Sequence, residues 1–118
     1  NTAAEILTKN TIETSDARLK KDIEQIKSGL SIISNLNPVY YSKRGNLESN
    51  EFNSQEYGFI AQEVQKILPE VVRNTGGEDE LLGLDYNSFI AILTKALQEQ
   101  QSEIDLLKEQ VKFLMEKE

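Results

Sequence analysis

The last third of the chain leaves its backbone little choice. Residues 85–118 contain neither proline nor glycine, and Ile90, Leu93, Leu97, Gln100, Ile104, Leu107, Val111 and Leu114 recur at alternating steps of three and four. That is the 3.5-residue period of helices wound around one another, whereas a helix lying on a globule repeats nearer 3.6. Ile90, Leu97, Ile104 and Val111 take position a of the heptad, and Leu93, Gln100, Leu107 and Leu114 take position d. Glu103 at g and Lys108 at the next e have the spacing of an interchain pair between parallel helices. As far as Leu97 the apolar surface is broad, with Phe89, Ile90, Ala91, Ile92, Leu93 and Ala96, so packing on the chain's own domain competes there. Beyond Gln100 the stripe is expected to narrow to a and d alone, and self-association is the expectation. Isoleucine or valine at a with leucine at d favours two strands, but Leu97 at a breaks that pattern and Gln100 puts a polar layer in the seam. Two and three strands both stay open on these residues.

What precedes the long helix reads as a small α+β region. Residues 1–14 are rich in threonine, with Ile6 and Ile12 at no helical spacing, and suit an extended segment. The abrupt start reads as a piece cut from something longer. Over residues 19–36, Leu19, Ile23, Ile26, Leu30 and Ile33 are spaced as one face of an amphipathic helix. Ser15 or Asp16 would cap it, Asp22 would supply favourable first-turn charge, and Asn37-Pro38 would end it. Gly29 would weaken its interior by about 1 kcal/mol. Val39-Tyr40-Tyr41 and residues 56–60 flank a polar stretch with hairpin-loop chemistry, and Val71-Val72 and residues 81–84 bracket a second turn at Gly76-Gly77. Between the hairpins a short helix over residues 61–68 would stop at Pro69. Gly76-Gly77 lacks the lysine and helix of a phosphate loop, so it reads as a plain turn.

Composition removes several chemistries. No cysteine and no histidine occur, which excludes disulfides, thiol catalysis, the usual general base and the usual transition-metal ligand. A net charge of −7 gives no basic footprint for nucleic acid or an anionic membrane. No apolar run approaches bilayer-spanning length. Metal and cofactor are therefore not expected.

One stretch remains that carries chemistry: Ser15-Asp16-Ala17-Arg18-Leu19-Lys20-Lys21-Asp22-Ile23. Taken alone, Ser15 reads as a cap and Lys20 and Lys21 as solvated. The stretch does not stand alone. With residues 36–41 (Leu-Asn-Pro-Val-Tyr-Tyr), Tyr57-Gly58-Phe59-Ile60-Ala61-Gln62-Glu63-Val64, Leu68-Pro69-Glu70 and Leu84-Asp85-Tyr86, it resembles the S74 peptidase family. Members are intramolecular chaperone domains that end phage tailspikes, tail fibres and endosialidases, with relatives in bacterial surface proteins and in the myelin regulatory factor of animals. The resemblance spans residues 15 to about 100, and the first and third motifs are its specific part.

The resemblance implies a homotrimer that aligns three chains, helps the upstream part of its own chain fold, and then cuts itself free. It places the scissile bond between Thr14 and Ser15, with Ser15 as nucleophile and Lys20 as general base. Residues 1–14 would then end the upstream protein, residues 15–84 form the chaperone and processing region, and residues 85–118 the oligomerising helix. The source would be a phage tail-fibre precursor or a bacterial surface protein. The chemistry has a physical basis. A serine hydroxyl needs a base to take its proton, and a lysine serves only where burial or a nearby cation favours its neutral amine. Arg18 or Lys21 would supply that cation, and Asp16 would cap or position. Because Ser15 carries the amide to be broken, its oxygen is tethered beside the Thr14 carbonyl, so proximity replaces substrate binding. Two alternatives stay open: a trimeric anchor that does not cut, and a coiled-coil adaptor in which the Ser-Lys pair is incidental.

Overall fold

A computed structural model describes residues 12–117. The order of elements is a 3₁₀ turn (Ala17–Leu19), helix α1 (Gly29–Ile33), strands β1 (Val39–Lys43) and β2 (Ser54–Gly58), helix α2 (Ala61–Gln65), a second 3₁₀ turn (Pro69–Val71), strands β3 (Val72–Asn74) and β4 (Leu82–Leu84), and helix α3 (Ser88–Glu116). The expected α+β class holds, with two antiparallel hairpins and a long final helix. Residues 1–11, with Ile6, lie outside the described residues, and residues 12–14 form no regular element.

The hairpins fall where β-branched and aromatic residues flank turn chemistry. In the first, Val39 pairs with Gly58, Tyr41 with Glu56 and Lys43 with Ser54. Its loop closes on polar side chains. Arg44 donates to the carbonyls of Leu47 and Ser49 and lies 4.8 Å over the Phe52 ring, while Asn46 accepts from the Glu48 and Ser49 amides. In the second, Val72 pairs with Leu84 and Asn74 with Leu82. Gly76 and Gly77 take φ values of 81° and 82°, a left-handed pair that residues with a β-carbon avoid, so this turn is glycine's by necessity.

Two expectations about the short helices fail. Residues 19–36 do not form one helix: residues 20–28 are non-helical, and α1 is five residues long. Asp22 sits at φ 54°, which interrupts any right-handed helix there, so it supplies no first-turn charge. Leu19 and Ile23, assigned by spacing to the buried face, are 71% and 74% exposed. The reason is tertiary. Gly29 presses on the backbone of Ile92 and Ala96 in α3, and the Glu99 carboxylate accepts from the Ser28 hydroxyl and the Gly29 and Leu30 amides, which fixes the helix start at that point. Pro69 also does not simply stop a helix. α2 ends at Gln65, and Pro69 opens the next 3₁₀ turn, a first-turn position where its missing N–H costs nothing.

The core is small. Val64, Val71 and Phe89 are buried together, with Leu36, Phe59, Leu68, Val72 and Leu84 packed around them, and Ile92 and Ala96 extend it beneath α1. Along α3 the buried residues Phe89, Ile92 and Ala96 lie on one side, whereas Ile90, Leu93, Leu97, Ile104, Leu107, Val111 and Leu114 are exposed apolar residues. Gln100 and every residue from 101 to 117 are exposed too. The broad surface before Leu97 is thus two surfaces, one used and one left open. Beyond Gln100 the stripe does not narrow to a and d alone: Leu106 and Phe113 at position c and Met115 at e add exposed apolar area.

Candidate functional site: Ser15 and Lys20

The 3₁₀ turn brings residues 15 and 20 together. Asp16 is its cap, accepting from the Arg18 amide at 2.9 Å, and the Leu19 and Lys20 amides donate to the Asp16 and Ala17 carbonyls. Ser15 therefore does no capping. The turn doubles the chain back on itself, so that Lys20 Nζ donates to Ser15 Oγ at 2.6 Å. A lysine five residues from a serine meets it only where the backbone reverses in this way. Continuous helix over the same residues would set the two on different faces.

Arg18 is committed elsewhere. Its guanidinium donates twice to the Asp16 carboxylate, at 2.9 and 3.0 Å. This hydrogen bonding holds the Asp16 carboxyl below the usual carboxylate range and raises Arg18 in turn. The pair braces the turn rather than offering a free cation. Among the described residues no carboxylate forms an ion pair with Lys20 or Lys21. Ser15 and Lys20 are both exposed in the single chain. Geometrically the pair can pass a proton from hydroxyl to amine across one hydrogen bond.

Upstream of the pair, the Glu13 carboxylate accepts a hydrogen bond from Asn87 Nδ2 at the start of α3. The sequence offered no sign of this contact, since 74 residues separate its partners. The eight heptad residues lie apart from the Ser-Lys pair in role: seven are exposed apolar side chains and the eighth is Gln100. No group of His, Cys, Asp and Glu side chains suited to a metal ion occurs among the described residues, and no helix there is long and apolar enough to cross a membrane.

Other residues of the sequence motifs build the frame. Tyr86 stacks on Phe59 and packs at a tilt against Phe89, and its hydroxyl accepts from the Phe59 amide at 3.2 Å. Gly58 lies directly under the Tyr86 and Tyr41 hydroxyls, where a β-carbon would come within 2.5 and 3.0 Å of them. Tyr41 also donates to Glu56, and burial, with Tyr86 and Glu56 beside it, pushes its hydroxyl above the ordinary tyrosine range.

The chain is similar in sequence to known proteins. The family described as Chaperone of endosialidase (Peptidase S74) matches residues 15–73, a span that opens on Ser15. The long tail fiber protein Gp37 of Salmonella phage S16 is 34% identical over 104 residues, 86% of this chain and 14% of that protein. Its counterpart from Escherichia phage AR1 is 40% identical over 87 residues, 72% of this chain and 8% of that protein. The chain thus spans a small fraction of these relatives' length.

Proposed function

The chain belongs to the Peptidase S74 family, the chaperones of endosialidase, and from that premise we propose that it is the self-cleaving assembly domain of a phage tail-fibre precursor. Three copies align through the a/d seam of α3, guide the upstream part of the polypeptide as it folds, and detach by cutting between Thr14 and Ser15. The observation that carries the reading is the 2.6 Å contact of Lys20 Nζ with Ser15 Oγ, at the residue where the family match begins. The open seam supports assembly: burying a leucine, isoleucine or valine is worth about 1.5–3 kcal/mol, and seven such residues stand exposed at its a and d positions. The small core supports it too, because a chain that buries so little gains most by association.

The reaction balances within one chain and one water. Ser15 Oγ attacks the Thr14 carbonyl carbon while its proton passes to the neutral Lys20 amine. The C–N bond then breaks, the proton moves to the departing Ser15 nitrogen, and an ester joins Thr14 to the Ser15 oxygen. Water hydrolyses the ester to leave a Thr14 carboxylate and a chain that begins at Ser15. Only a neutral amine accepts the proton, and exclusion of water is what favours that form. Neighbouring chains covering the exposed pair would provide it, which makes cutting follow assembly.

The test uses the domain joined to its natural upstream polypeptide. Wild type should yield a fragment whose first residue is Ser15, at a first-order rate once assembled. Ser15→Ala and Lys20→Ala should remain intact yet still associate, and Lys20→Arg should remain intact because a guanidinium does not give up its proton. Wild type that stays whole after prolonged incubation, or a Ser15→Ala chain that is still cut, overturns the reading.

A further inference from the structure

We propose that Asn87 is a positioning residue for the cut at Thr14, holding the segment just upstream of Ser15 against the start of α3 through Glu13. The proposal rests on the autoproteolytic reading above. Asn87 precedes the first turn of α3, where asparagine ordinarily turns back to accept an amide of its own helix. Here it does not. Its backbone has helical torsions (φ −64°, ψ −29°), its side chain makes no capping bond, and the Ser88, Phe89 and Ile90 amides donate instead to the carbonyls of Asp85, Tyr86 and Asn87. The freed Asn87 amide donates to the Glu13 carboxylate, two residues before the nucleophile.

The anchor is rigid on both sides. The Asp85 amide donates to the Val71 carbonyl at 2.8 Å, and Arg73 approaches the Asp85 carboxylate at 3.9 Å. Tyr86 is pinned by the Phe59 amide and packed against both Phe59 and Phe89, and Phe89 is 4% exposed. On the far side of the bond, Asp16 and Arg18 lock the turn that presents Lys20. The Thr14 carbonyl therefore lies on a short bridge between two hydrogen-bonded points. Attack by a neighbouring hydroxyl needs the carbonyl carbon at about 3–3.5 Å in the right orientation, and a chain loose at residue 13 would seldom hold it there. Through Asn87 the same helix that brings three chains together also sets the bond to be cut.

The experiment exchanges donor and acceptor. Asn87→Asp keeps an equally good residue at the head of the helix but sets a carboxylate against Glu13. It should slow cleavage of the upstream-extended protein at least tenfold while leaving its melting temperature within a few degrees of wild type. Glu13→Gln alone should cut near the wild-type rate, because the side-chain carbonyl it keeps at position 13 still accepts from Asn87. Glu13→Gln with Asn87→Asp should restore the rate, because the amide introduced at position 13 then donates to the carboxylate introduced at position 87. In a Ser15→Ala background, hydrogen exchange of residues 12–14 should quicken in Asn87→Asp and recover in the double variant. Unchanged cleavage in Asn87→Asp, or a double variant as slow as the single, overturns the proposal while wild-type cutting stands. Wild type that never cuts overturns the autoproteolytic reading, and this one with it, whatever the exchange data show about the contact.

Discussion

The missing side chain at Gly29 decides where α1 can cross α3. A β-carbon there would collide with the Ile92 carbonyl and the Ala96 amide, backbone atoms that cannot swing aside. In the sequence this glycine looks like a weakness of a helix interior; in the structure it is the first residue of the helix and the point of closest approach. Gly29→Ala, which gains helix propensity on a local argument, should therefore destabilise the fold by about 1–3 kcal/mol, the usual cost of overpacking. A thermal melt that rises instead would mean that α1 can slide along α3 without loss. Ser15 teaches the converse. Its pairing with Lys20 was readable from the motif, and its release from capping is explained by Asp16 beside it.

At the scale of elements, α1 is too short to stand on its own propensity. It exists because Glu99, 70 residues later, caps it from α3. Partial desolvation raises the Glu99 carboxyl, but the Ser28 hydroxyl, the Gly29 and Leu30 amides and the Lys95 charge outweigh it, and the group ends below the ordinary glutamate range. The sign follows from that direction. A carboxyl with a depressed folded-state pKa contributes stability above its unfolded value, about 4.3, and loses that contribution as the pH falls through the folded value. Glu99→Gln should melt below wild type at pH 7, and the gap should narrow as the pH falls from 4 to 3. A gap of the same size at pH 3 as at pH 7 would show that the charge is not what holds α1. The periodicity of residues 19–36 gave no hint of this, because period reports which side chains could share a face and not whether a surface waits to receive them.

Over the whole molecule, the radius of gyration is 20.0 Å, against roughly 13–14 Å for a compact globule of this length. The excess is α3, which runs about 43 Å at 1.5 Å per residue and leaves the packed core behind after Glu99. Ending the chain after Gln101 keeps the Glu99 cap and removes Ile104, Leu107, Val111 and Leu114 from the seam. Sedimentation at micromolar concentration should then show the shortened protein as single chains and the full domain as trimers. A full domain that sediments as a monomer would refute the assembly reading outright. Leu106 and Phe113, which lie off the seam, should not by themselves sustain association in a full-length chain whose Ile104, Leu107, Val111 and Leu114 are changed to serine.

The sequence by itself determined what depends on neighbours along the chain: two hairpins from turn residues between β-formers, one unbroken helix, an a/d stripe, and a serine and lysine in a motif. Each is local, or periodic over a few residues, so its physics is complete within a short window. The tertiary structure alone decided where α1 begins, why Gly29 and Gly58 carry no side chain, which of the apolar residues of α3 face inward, and that Asn87 reaches Glu13. Those outcomes turn on atoms brought together from residues far apart in sequence, and sterics and hydrogen bonding act on distance in space.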